Sequence, residues 1–176
     1  MFITKEALAT AVHAFITSRI DYCNAVLYGL PLYLIERLQY LQNLAARMVS
    51  GSQKYDHITP VLKDLHWLPV LQRIQYKVLL LTYKCLHGLA PGYLSDLLQK
   101  SRRGNSLLLP LTKRVHFGDR SFSKSGPVLW NLLPLHIRDS PSVDSFKSRL
   151  KTFLFKKAFF NRIIKFEWNI PGGHPF

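Results

Sequence analysis

Residues 57–69 read HITPVLKDLHWLP and place two histidines, an aspartate and a tryptophan within thirteen positions. Imidazoles and a carboxylate at that density could do general acid–base work. Seven histidines occur in all: His13, His57, His66, His87, His116, His136 and His174. None stands at i,i+4 from another histidine or from a cysteine, so a zinc site would need distant ligands to converge. The carboxylates offer no more. There are ten Asp and Glu, no two of them adjacent aspartates, whereas two-metal polymerases and nucleases need clustered acids. No Gly-rich phosphate loop, G-x-S-x-G or H-E-x-x-H occurs. A Cys85–His nucleophile is disfavoured because Cys85 falls on the apolar face of a predicted helix, where burial suppresses the thiolate. The two cysteines, Cys23 and Cys85, read as buried thiols of a reducing compartment. The sequence therefore assigns no catalytic residue, no metal and no cofactor. His57, Asp64 and His66 read as cap or turn residues that bond the backbone.

What remains is cationic. The chain of 176 residues carries 24 Lys and Arg against 10 acids, a net charge of +14. Residues 1–99 contribute nine bases and six acids, and residues 100–176 fifteen bases and four acids. Lys100, Arg102, Arg103, Lys113, Arg114, Arg120 and Lys124 fall within 25 positions, opposed only by Asp119. Lys147, Arg149, Lys151, Lys156 and Lys157 follow on one predicted helix. Flexible cations on an apolar scaffold suit phosphate contact, which positions a nucleic acid without reading its bases. The candidate binding set is Arg102, Arg103, Lys113, Arg114, Arg120, Lys124, Lys147, Arg149 and Lys151. A merely solvated basic surface is the plainer reading of the same residues.

These cations need elements to hold them, and the apolar pattern predicts helices. Thr4 reads as a cap, with Leu8, Val12, Phe15 and Ile16 at helical spacing after it. A short helix is predicted over Asp21–Tyr28, ended by Gly29–Pro31. The next runs from about Leu32 to Val49, with Leu34, Leu38, Leu41, Ala45 and Met48 as its apolar stripe and Gly51 as its stop. Thr59-Pro60 starts a helix of one to two turns that ends near Leu65. Pro69 opens the longest apolar helix, about Val70–His87, closed by Gly88. Pro91 starts a short one. Residues 100–106 read as a basic linker, and two or three short strands or extended segments are predicted around 105–125. Ser140-Pro141 caps a last amphipathic helix to Phe159, its face built from Val143, Phe146, Leu150, Phe153 and Leu154. Trp67 and Trp130 read as packing anchors, with base stacking as the alternative. Asn131 is expected to bond its own turn. The fold class is thus mainly α, a helical bundle. Residues 1–99 form a helical unit, 100–160 a basic segment with short strands and a final helix, and 161–176 a tail with no assigned role. No apolar window spans a bilayer, and Lys5, Glu6 and His13 break any leader peptide, so an intracellular site, nuclear or cytoplasmic, is expected.

The order of several segments is specific where no single one is. SRIDYCNAVLYGLP, RLQYLQNLAARMV, DHITPVLKDLHWLPVLQRIQYKVLLLTYKCLHGLAPGYLSDLL, GDRSFSKSGPVLWNLLPLHIR and SVDSFKSRLKTFLF follow one another. Over about residues 10–160 the chain resembles the C-terminal region of LINE-type (non-LTR) retrotransposon reverse transcriptases. The resemblance implies a helical, thumb-like or linker part that follows the polymerase palm and grips template–primer duplex. The family's F/Y-A-D-D metal motif, its endonuclease and its Cys/His knuckle have no counterpart here. The implied protein is therefore a non-catalytic fragment whose partners are RNA or DNA backbone and the missing palm, with no small molecule and no membrane. The alternative from a different class is a structural or protein-interaction module with no activity of its own.

Overall fold

The computed structural model describes residues 4–101, 105–110 and 120–160. Thr4 accepts a hydrogen bond from Ala7 N and caps α1 (Lys5–Val12). A π-helical stretch, His13–Thr17, carries α1 into α2 (Ser18–Asp21). That wider turn shifts the side-chain register. Val12 is buried as expected, but Phe15 is turned out to solvent. The helix predicted over Asp21–Tyr28 does not form. Cys23 sits at φ 50° and breaks it, leaving a 3₁₀ turn over Asn24–Leu27. Asp21 therefore ends α2 and does not start a helix. Cys23 is exposed, so only Cys85 is a buried thiol, and burial raises its pKa.

α3 (Leu32–Ser50) stops at Gly51, whose φ is 74°. Its buried stripe is Ile35, Gln42, Ala45, Ala46 and Val49, not the one expected from Leu41 and Met48. Two causes rotate the helix. Ala45 and Ala46 let the backbone approach its neighbours, and Gln42 is drawn inward to donate to Leu68 O at 2.9 Å. Gln39 turns the same way and accepts from Val70 N. Tyr33, Tyr40, Leu41 and Met48 are left exposed.

α4 (Ile58–Asp64) begins at His57, two residues before the expected Thr59 cap, and the His57 side chain makes no capping bond. Pro60 lies in the first turn, where a backbone N–H would have no helical partner anyway. The end of α4 explains DLHWLP. His66 N–H donates to Lys63 O and Trp67 N–H donates to Leu62 O, at 3.0 and 2.9 Å. His66 takes φ 54°. This pair of bonds around a left-handed residue is the Schellman stop. Trp67 then packs in one cluster with Leu62, Val12, Ala45, Ala46 and Val49. Asp64 contributes its carbonyl, which the His66 Nδ1 meets at 3.2 Å.

Pro69 precedes α5 (Val70–Leu86), as the sequence predicts, and its carbonyl receives Arg73 N–H. Val70, Ile74, Val78, Leu79, Thr82, Tyr83 and Cys85 are buried. The same Schellman bonds end α5, from Gly88 N to Cys85 O and from Leu89 N to Lys84 O, here with Gly88 at φ 68°. α6 (Gly92–Ser95) follows Pro91.

Of the short strands or extended segments expected around 105–125, the described residues show one isolated antiparallel bridge, Lys100 to Leu107, and from Phe122 onward a helix instead, α7 (Phe122–Asn131). Residues 111–119 of that stretch lie outside the described residues. Among the described residues there is no sheet. Asn131 does not bond its own turn. Its Oδ1 accepts from Leu107 N at 2.9 Å and its Nδ2 donates to Leu107 O at 2.8 Å. The side-chain amide stands where a neighbouring strand would stand. Trp130 Nε1 and Arg138 both donate to Asn105 O.

α8 (Leu135–Arg138) leads to α9 (Val143–Phe159), capped by the Ser142 hydroxyl on Ser145 N; Ser140 is buried instead and bonds Ile137 O. Phe146, Leu150 and Leu154 are buried, as the pattern predicts. The main core joins Val78, Leu79 and Tyr83 of α5 to Leu107, Trp130, Phe146 and Leu150, so it crosses residue 100. Tyr83 stacks on Phe146 at 4.2 Å and donates to Ser140 O at 2.8 Å. The mainly α fold is as the sequence predicts. No described helix is long and apolar enough to cross a membrane.

Candidate nucleic-acid interface

The packing of α9 on α5 sets four cations on two helices. Arg73 and Lys77 are i,i+4 on α5, and Lys147 and Lys151 are i,i+4 on α9, so each pair shares a helix face. Arg73, Lys77 and Lys151 line a cleft of about 270 Å³ where the two helices meet the turn after α2. Asp21, Asn24, His66 and Tyr76 complete its polar and aromatic wall.

The cations play different parts. Arg73 is mostly buried, and its guanidinium bonds Asp21 at 2.6 Å and Leu68 O at 2.9 Å. It holds the α2 end against α5, and its charge is largely spent on Asp21. Lys77 and Lys151 are exposed, and among the described residues neither has a carboxylate partner. Lys147 reaches Asp144 at 3.0 Å, and that hydrogen bond, with the same carboxylate's charge, raises its pKa. It stays protonated through neutral pH. Burial raises the Tyr76 phenol, and the charge of Lys147 partly opposes that shift.

Of the nine cations expected to bind, Arg102, Arg103, Lys113 and Arg114 lie outside the described residues. Arg120 is half-buried. Its Nε donates to Tyr28 O, and its stem lies on Gly29, where an added Cβ would meet Arg120 Cγ at 2.6 Å. Gly29 is thus needed both for its φ of 74° and for this contact, and Arg120 is a strut between distant segments. Lys124 is half-buried in α7. Arg149 donates to His136 O at 2.7 Å and ties α9 to α8. Lys151 lines the cleft, and Lys147 stands one turn before it on the same face of α9, where its charge acts on Tyr76. Trp67 and Trp130 are 6% and 1% exposed, so both rings are anchors and neither is open to a base.

Arg73, Lys77, His66 and Asn24 were not among the expected site residues. The signal for the first two was present in LQRIQYK, a basic pair at helical spacing. The apolar pattern of that helix is the stronger signal and marks its buried face. Asn24 gives no sequence signal, because its burial follows from the Cys23 break. Comparison with known protein families, with curated proteins and with solved structures finds no match to this chain.

Proposed function

We propose that the chain is a non-catalytic nucleic-acid-binding module that grips phosphate backbone without reading sequence, in keeping with the thumb-like reverse transcriptase region it resembles. The observation that carries this reading is that Lys77 of α5 and Lys151 of α9 line one cleft, with Lys147 one turn from Lys151 on the same helix face, on a protein of net charge +14. Lysines on two packed helices present point charges on flexible stems, which adapt to phosphate groups along a strand. The partners are RNA or DNA backbone and the palm of the parent polymerase, in an intracellular setting, nuclear or cytoplasmic.

The test is a fluorescence anisotropy titration with several unrelated duplexes and RNA–DNA hybrids. The expected result is binding at micromolar or weaker affinity that varies little with sequence and weakens as salt rises. Absence of binding at low salt would overturn the reading.

One observation favours a second reading, an interaction module without nucleic-acid binding. Tyr33, Tyr40, Leu41, Leu44 and Met48 leave an exposed apolar stripe along α3. Light scattering separates the two. Aggregates that ignore DNA favour this reading, and a monomer that retards DNA favours the first.

A further inference from the structure

α4 and α5 end in the same hydrogen-bonded turn, but with different residues at its left-handed position. α5 uses Gly88, which adopts positive φ without a side-chain penalty. α4 uses His66, so a Cβ is held in a conformation that L residues avoid. Trp67, Leu62 and the turn's two hydrogen bonds would be served equally by glycine. What glycine could not supply is the ring.

That ring has a defined setting. It is exposed and lines the cleft beside Lys77 and Lys151. Its Nδ1 is tied to Asp64 O at 3.2 Å, and it stacks on Phe155 with centroids 5.9 Å apart and planes 19° apart. A fixed, backed aromatic surface next to two lysines that have no carboxylate partner among the described residues is the arrangement on which single-stranded nucleic acid stacks a base. The same cleft holds Asn24, 3% exposed, whose Nδ2 reaches Asp21 at 3.5 Å and whose Oδ1 has no donor among the described residues. A base edge carries N–H donors, and a DNA sugar–phosphate backbone carries none. The cleft, at about 270 Å³, lies at the small end of ligand sites; a double helix can meet its exposed lysines only from outside, whereas a single unpaired base is small enough to enter.

We propose that this cleft takes one unpaired nucleotide at a strand end or overhang, its base on His66 and its phosphates against Lys77 and Lys151. The inference rests on the backbone-binding reading and adds to it a base-dependent contact.

Three DNA hairpins with the same stem distinguish base from charge: a blunt hairpin, one with a four-thymidine overhang, and one with four abasic sites in the overhang. The abasic strand keeps the phosphates and lacks the rings. In anisotropy titrations at fixed salt, the thymidine overhang is expected to bind roughly tenfold tighter than the abasic one, within the range of a single base–aromatic stack. His66→Gly, which suits the left-handed turn, is expected to melt close to wild type and to bind the two overhangs equally. His66→Phe is expected to restore the preference. Equal binding of the thymidine and abasic overhangs by the wild-type protein would overturn this inference and leave backbone binding standing. Failure of all three hairpins to bind would remove both.

Discussion

Trp130→Ala is expected to lower the thermal midpoint by about 10 °C or more, read by circular dichroism. Trp130 is 1% exposed and sits with Tyr83 and Phe146 at centroid distances of 6.4 and 5.9 Å. Those rings belong to α7, α5 and α9, so Trp130 joins the three long helices of the main core. Removing a buried tryptophan costs about 3–5 kcal/mol through lost transfer energy and the cavity left behind. A domain's whole stability is about 5–15 kcal/mol, and at this size each kcal/mol moves the midpoint by about 2–4 °C. The indole also donates to Asn105 O, although Arg138 remains as a second donor to that carbonyl. Most of the loss is therefore packing. A midpoint within two or three degrees of wild type would mean that α7 does not pack on α5 and α9 as described.

Asn131→Leu is the second large effect, and it has a different cause. Leucine is close to asparagine in shape but cannot hydrogen-bond. Leu107 is 3% exposed, and the Asn131 amide satisfies both its N–H and its C=O. The variant leaves a donor and an acceptor buried without partners, at about 1–3 kcal/mol each. Hydrogen exchange locates the damage. The Leu107 amide should change from protected to fast exchange, while amides in α3 keep their protection. Unchanged protection at Leu107 would show that the segment is held by its apolar contacts alone.

The helices were legible because their signals are local. Thr4, Gly51, Pro69 and Gly88 mark helix ends through backbone chemistry that depends only on neighbours in sequence. The end of α4 near Leu65 was legible, but the left-handed residue that makes it was not, because a histidine occupies a position usually given to glycine. The stretch looked like chemistry when it was first a helix terminator. Failures elsewhere share one cause, which is that tertiary partners overrode local pattern. Gln42 turned inward for Leu68 O, which rotated α3 and exposed Leu41 and Met48. Asn131 found a partner 24 positions away, Leu107, which pins the segment that forms the bridge to Lys100. Arg120 looked like a phosphate-binding cation and became a strut, because Gly29 gave its stem a place to lie. The cleft itself was half legible. Lys147 and Lys151 were read from α9, but Lys77 needed the α5–α9 packing to join them.

Contact between this lysine set and nucleic-acid phosphates is read from the slope of log affinity for one duplex against log salt, for wild type and for Lys77→Gln, Lys147→Gln, Lys151→Gln combined. Arg73 is left intact because its bond to Asp21 is structural. Each phosphate contact contributes about 0.9 to the slope on B-form DNA, so the triple variant should be flatter by roughly 2–3. A triple variant that folds, binds and keeps the wild-type slope would contradict that contact.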